Sequence, residues 1–244
     1  MRNTVRASAI AAASRIPTEV TTVGAGRRRK TRLCANAVTV LTIVAGAAVV
    51  AGPVAFAGPC SDVDVSFARG TGELPGFGIT GGPFVNRLTS ELSGRSVSTY
   101  AVNYAADYSQ LSAGPGSRDL VDHISSVAAA CPGTQFVIGG YSQGATVISN
   151  AVGLRTPSSA SGAVLPSVVA DRIAAVVVFG NPLGLQGQTI ETASGPFGSR
   201  ASSYCNFGDP VCQLGGFNTF AHLTYGTNGK TTQGAAFAAS RIIG

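Results

Sequence analysis

Charge is scarce in this chain. Only 11% of its 244 residues are Asp, Glu, Lys or Arg, against 45% hydrophobic ones. So little charge excludes a solvated, disordered polymer and points to a packed globular core. The basic charge lies at one end. Residues 1–57 hold eight of the 17 Lys and Arg but one of the 11 acids, leaving nine bases and ten acids beyond them. The formal net charge of +6 is therefore a property of the N-terminal extension. The remainder has no basic patch to follow a phosphate backbone, which excludes a nucleic acid partner. Histidine is scarcer still: His123 and His222 are the only two. Neither accompanies a cysteine pair, so a Cys/His metal centre is excluded, and neither metal nor cofactor is expected.

The basic extension has the order of a secretory signal. Residues 27–32 form a positive run, residues 38–50 are apolar and uncharged, and Gly52-Pro53 breaks any helix. Ala55-Phe56-Ala57 then supplies small residues flanking a cleavage point. The expectation is a leader and signal peptide over 1–57, cut after Ala57, and an exported domain over 58–244. Residues 35–57 are also long enough to span a bilayer, so a retained anchor is the rival reading. Residues 1–26 exceed the usual signal length and read as a long basic leader or an upstream start.

Cysteine is sparse but even in number once the leader is set aside. Cys34 falls within the leader, and Cys60, Cys131, Cys205 and Cys212 remain. In an exported domain four cysteines imply two disulfides, with three possible pairings. The short spacing from Cys205 to Cys212 permits a small local loop, with Cys60 and Cys131 closing a longer one.

Beyond residue 60 strand-like and helix-like stretches alternate. Residues 63–68, 96–104, 136–140 and 173–179 read as strands, the last a continuous apolar run suited to burial on both faces. Phe84, Leu88 and Leu92 share one helical face, as do Leu120, Ile124, Val127 and Cys131. A helix is expected over 145–154, and another around Phe237 and Arg241 closes the chain. Residues 157–166 and 184–199 are Gly/Ser/Pro-rich loops. The β-α-β-α order predicts a three-layer α/β fold with a mainly parallel sheet and helices on both faces. No repeat or linker divides it.

Gly140-Tyr141-Ser142-Gln143-Gly144 matches G-x-S-x-G. In a chain with 32 glycines the string alone is weak, so its context decides. A strand precedes it and a helix follows, which would hold the Ser142 hydroxyl out on a sharp turn. The backbone N–H groups at the helix start would face a developing oxyanion. A serine nucleophile needs a base. His123 lies mid-helix one turn after Asp119 and reads as a solvated Asp–His pair. His222 lies downstream, satisfying the α/β-hydrolase order of serine, acid, histidine. The acid must fall between them. Asp171 sits at the wrong end of its strand and Glu191 in a polar loop. Asp209, between Cys205 and Cys212, is the candidate to orient His222.

These segments together resemble the cutinase family over residues 60–244. Phe67-Ala68-Arg69-Gly70-Thr71 is similar to its first strand and oxyanion loop, and Ser142 follows Cys131 by the family's eleven residues. The stretches from Cys205 to Cys212 and from Ala221 to Tyr225 are similar to its acid and histidine segments. The resemblance implies a cutinase-like α/β-hydrolase fold with a five-stranded parallel sheet. It also implies Cys60–Cys131 and Cys205–Cys212 disulfides and a Ser142–His222–Asp209 triad. Its oxyanion hole would use the backbone N–H groups of Thr71 and Gln143, with the Thr71 hydroxyl as a further donor. Thr71 departs from well-known fungal members, which carry Ser there.

The expected function is a secreted serine esterase acting on short-to-medium acyl esters, lipids or polyesters such as cutin. Leu214, Phe217 and Phe220 flank His222 and form either an apolar substrate rim or packing beneath the loop. The expected partner is the ester itself, with contact to a cell envelope or lipid surface, and the expected state is a monomer. An acetylxylan-type esterase and a non-catalytic surface protein on the same scaffold are the alternatives.

Overall fold

Among the residues that the computed structural model describes, 59–157 and 161–243, five strands form one sheet. The expected leader, the cleavage point after Ala57 and Cys34 lie outside them. The strands are Val63–Ala68 (β1), Val97–Ala101 (β2), Gln135–Tyr141 (β3), Ile173–Phe179 (β4) and Ala201–Tyr204 (β5). Their order is β2-β1-β3-β4-β5 and every pairing is parallel. The helices are Gly78–Glu91 (α1), Ala113–Ala130 (α2), Gln143–Ala151 (α3), Ser167–Ala170 (α4), Ile190–Ala193 (α5), Thr219–His222 (α6) and Lys230–Ile243 (α7).

The period-two alternation of a strand explains the layers. In β4, Val176 and Val178 pack with Leu120 and Ile124 of α2 and Val147 and Ile148 of α3. Ala175, Val177 and Phe179 face the other way, among Phe84 and Leu88 of α1 and Ala235 and Ala238 of α7. Both faces of β4 are covered, as its uninterrupted apolar sequence requires. On the α1/α7 side Phe67, Phe84 and Phe179 meet with centroids 5.6 to 6.4 Å apart. Each such side chain contributes about 1.5–3 kcal/mol on burial.

Several local expectations need correction. The fifth strand, Ala-Ser-Ser-Tyr, has too little apolar pattern to read as one, yet β4 supplies its hydrogen-bonding partner. The loop expected over 184–199 contains α5 and is overlapped at its ends by two short 3-10 turns, Pro182–Gln186 and Gly198–Arg200. His123 is not solvated beside Asp119. Its Nε2 lies 3.1 Å from Asp64 Oδ1, and its ring stacks on Tyr100 at 3.7 Å. Asp119 instead accepts from the Tyr100 hydroxyl and the Asn103 N–H, each at 2.8 Å. Helical spacing put His123 and Asp119 on one face, but that face lies on the sheet, where buried Asp64 needs partners. Ser66 and Ser98 hydroxyls also donate to it, at 2.9 and 2.8 Å.

The structure pairs Cys60 with Cys131 and Cys205 with Cys212, with Cα atoms 5.5 and 5.9 Å apart. Chain-entropy reasoning gives about 4 kcal/mol for the long loop and about 2.5 kcal/mol for the short one. The long one ties the entry to β1 to the end of α2, at the N-terminal edge of the sheet. The short one frames a loop beyond the C-terminal end of β5. Among the described residues no helix is long and apolar enough to cross a membrane.

Candidate active site

In a parallel sheet the loops after the strands gather at one edge, and the residues of the expected triad and oxyanion hole lie there. Thr71 follows β1, Ser142 follows β3, and Asp209 and His222 follow β5. Asp171 comes just before β4 instead, at the opposite edge. Glu191 binds the Ser203 N–H and hydroxyl at 2.5 and 2.6 Å, a role within the loop.

Ser142 stands at a sharp elbow with φ 56° and ψ −119°. For a non-glycine residue this backbone costs about 1–3 kcal/mol and persists only where its surroundings impose it. The Ser142 N–H donates to Phe179 O at 2.9 Å, while its own C=O already accepts from Ala145 and Thr146 at the start of α3. The flanking glycines are steric necessities. A Cβ at Gly140 would lie 2.3 Å from Gly144 O, and one at Gly144 would lie 1.9 Å from Ala68 O.

The structure brings the three expected side chains together in series. Ser142 Oγ lies 2.8 Å from His222 Nε2. His222 Nδ1 lies 2.8 Å from Asp209 Oδ2. Asp209 is fully buried, and its other oxygen accepts the Val211 N–H at 2.8 Å. Burial alone pushes this carboxyl up. Donation from His222, Tyr225 and Val211 outweighs that and holds it below the usual carboxylate range. Asp209 is therefore ionised beside the imidazole at neutral pH. Among the described residues no grouping of His, Cys, Asp or Glu is placed to hold a metal ion.

The loops after β1 and β2 are knit together beside the serine. Arg69, almost fully buried, donates to the carbonyls of Glu73 and Tyr104 at 2.8 and 2.7 Å. Glu73 accepts the N–H groups of Gly70 and Ile79 at 2.5 and 2.7 Å. Gly72 N–H reaches Ala106 O at 2.7 Å, and Gln110 Nε2 donates to Thr71 Oγ1 at 3.0 Å. Gln143 is buried, and its side chain donates to Asp107 O at 3.0 Å. Leu214, Phe217 and Phe220 do not pack beneath their loop: they are 80%, 81% and 71% exposed.

A model of the Cutinase family matches residues 59–242. The chain belongs to the cutinase family. Over 187 residues it is 57% identical to a cutinase of Kineococcus radiotolerans, covering 76% of this chain and 63% of the length of that one. Over 191 residues it is 46% identical to the probable carboxylesterase Culp3 of Mycobacterium tuberculosis, covering 78% of this chain and 72% of the other. Among solved structures it resembles a Trichoderma reesei cutinase held with a phosphonate inhibitor. The TM-score is 0.59 at 30% identity, over 75% of this chain and 78% of that one.

Several residues of this cutinase-family site were not legible as such. Tyr225 is buried and donates to Asp209 Oδ2 at 2.6 Å. Tyr141, next to the serine, donates to the His222 carbonyl at 2.8 Å. Gly180 leaves the space that His222 and Asp209 occupy. Tyr141 enters the sequence reading only as a letter of the serine motif, Tyr225 only as the end of the histidine segment, and Gln110 not at all. The position of Tyr225 three residues after His222 was the one available hint.

Proposed function

We propose that this chain is a serine carboxylic-ester hydrolase in which Ser142 is the nucleophile, His222 the general base and acid, and Asp209 the residue that orients and balances His222. The observation that carries this is the unbroken series from Ser142 Oγ through His222 to buried Asp209, with both gaps 2.8 Å. His222 Nε2 takes the hydroxyl proton as Ser142 Oγ bonds to the ester carbonyl carbon. The tetrahedral oxyanion is received by the backbone N–H groups of Thr71 and Gln143 and by the Thr71 hydroxyl. His222 returns the proton to the departing alcohol oxygen as the ester C–O bond breaks, leaving an acyl-serine. A water molecule then adds to the acyl carbon, gives its proton to His222 and releases the acid, and Ser142 regains its proton.

The substrate class follows from the surface around the serine. Phe207, Leu214, Phe217, Phe220 and Leu223 are exposed on the loops after β5, and Leu74, Tyr108 and Leu111 on those after β1 and β2. So much apolar surface at one edge suits an acyl chain presented by a lipid or polyester surface better than a soluble acetylated sugar. Residues 1–57 act as a leader and signal peptide removed after Ala57, delivering a monomeric esterase domain outside the cell. The two disulfides suit an oxidising compartment.

A fluorophosphonate probe tests the chemistry. The wild-type protein should be labelled and Ser142→Ala should not. An unlabelled wild type, or equal labelling of the variant, overturns the reading. Rates on p-nitrophenyl acetate, butyrate and longer esters, set beside acetylated xylan, test the substrate class. A strict preference for acetyl groups on xylan rejects it.

A further inference from the structure

We propose that Tyr225 is a positioning residue whose hydroxyl shares Asp209 Oδ2 with His222, and so sets how tightly the acid holds the imidazole and the pH at which the base is lost. This rests on the triad reading above.

One oxygen of Asp209 serves two donors. Oδ2 accepts from Tyr225 at 2.6 Å and lies 2.8 Å from His222 Nδ1, whereas Oδ1 takes only the Val211 N–H. The Tyr225 hydroxyl is itself fixed, because it accepts the Asn206 N–H at 2.9 Å. Its ring is fully buried, with Phe179 and Tyr141 each at 5.9 Å and the His222 ring edge-on at 6.3 Å. The only other acceptor beside the phenol among the described residues is the disulfide sulfur of Cys212 at 3.5 Å, far weaker than a carboxylate at 2.6 Å, so the proton goes to Asp209. Burial first, and then the bond to Asp209, hold it well above the usual tyrosine range, so it remains a donor wherever the enzyme works.

Packing alone does not require this hydroxyl, since phenylalanine would fill the same ring volume. Its effect is electrostatic and directional. A donor on Oδ2 draws negative charge away from the side that faces His222 and pins that oxygen in line with Nδ1. Removing it leaves a carboxylate that stabilises the imidazolium more strongly, so His222 becomes protonated at higher pH. The other titratable groups facing the pair are few. Tyr141 approaches His222 from β3, Glu73 acts on Tyr141 from the loop after β1, and Cys205 and Cys212 are joined in a disulfide.

The experiment compares pH profiles of kcat and kcat/KM on p-nitrophenyl butyrate for the wild-type chain, Tyr225→Phe, and a chain with 3-fluorotyrosine placed at 225. Rates are normalised to active sites titrated with the fluorophosphonate. In Tyr225→Phe the acid limb should move up by about half to one pH unit. The plateau kcat should fall roughly three- to tenfold at nearly constant KM. The fluorinated ring keeps the packing and donates more strongly, so its acid limb should move down. It also decides the matter if Tyr225→Phe does not fold. Limbs that stay at the wild-type pH in every folded variant overturn the proposal, even if kcat drops. A wild type that resists the probe overturns the triad instead.

Discussion

The side-chain amide of Gln110 donates to Thr71 Oγ1 across 3.0 Å. A hydroxyl that accepts on one side is left with its own proton to give, and the amide fixes which way that proton points. If Thr71 serves the proposed oxyanion hole, Gln110 aims its proton, and two substitutions test this. Thr71→Val, which keeps the backbone N–H but loses the hydroxyl, should lower kcat by roughly 10²-fold. Gln110→Leu should lower it by about tenfold, since the hydroxyl survives but is free to rotate. Both losses should appear in kcat and leave KM nearly unchanged, as steady-state kinetics on a soluble ester will show.

Gly180 has φ +57°, and a Cβ there would lie 2.8 Å from His222 Cε1 and 3.2 Å from Asp209 Oδ2. Gly180→Ala should push the imidazole off its line to Ser142. A misplacement of a few tenths of an ångström to one ångström costs up to about 10²-fold in rate. Fluorophosphonate labelling should slow to match, while circular dichroism shows the fold intact.

Asp209 gives the fold a pH dependence of known sign. Its folded-state pKa is depressed from 3.8, so its contribution is fully present above that value and is lost as pH falls through the folded one. Urea midpoints of the wild type should drop through this acidic window, and Asp209→Asn should flatten that part of the profile. The same substitution should lower kcat by about 10⁴-fold, because an amide no longer supports the imidazolium.

The two disulfides should separate cleanly in experiment. Cys60→Ser with Cys131→Ser removes a tie at the edge away from Ser142. It should cost about 4 kcal/mol in stability and leave kcat almost unchanged. Cys205→Ser with Cys212→Ser frees the loop that carries Asp209, costing about 2.5 kcal/mol in stability. That pair should lower activity under conditions where the fold persists. Denaturation curves read beside kcat distinguish the two effects.

What could be read from the sequence was whatever is local or ordered along the chain. The elbow at Ser142 was legible because strand, turn and helix are contiguous. His222 followed from chain order and from there being so few histidines, and Asp209 was singled out from Asp171 and Glu191 by its place between Cys205 and Cys212. Contacts across the sheet were not legible. Helical spacing could connect His123 only with Asp119, whereas Asp64 reaches it from β1. The partner of Tyr225 was equally hidden, because only the fold brings the Asp209 carboxylate within 2.6 Å of its hydroxyl. β5 escaped because edge strands need less apolar pattern, having one neighbour instead of two.

The five strands among the described residues run the same way, and that has a practical consequence for altering this protein. Thr71, Gln110, Ser142, Asp209 and His222 all follow strand ends, while the core that holds them is laid down in the strands and helices behind. The outermost side chains of the same loops, among them Leu74, Tyr108, Phe207, Leu214, Phe217 and Phe220, are exposed. A combinatorial library confined to those positions would vary the exposed apolar surface and spare the proposed catalytic residues. The molecule is divided into a fixed chassis and an exchangeable face.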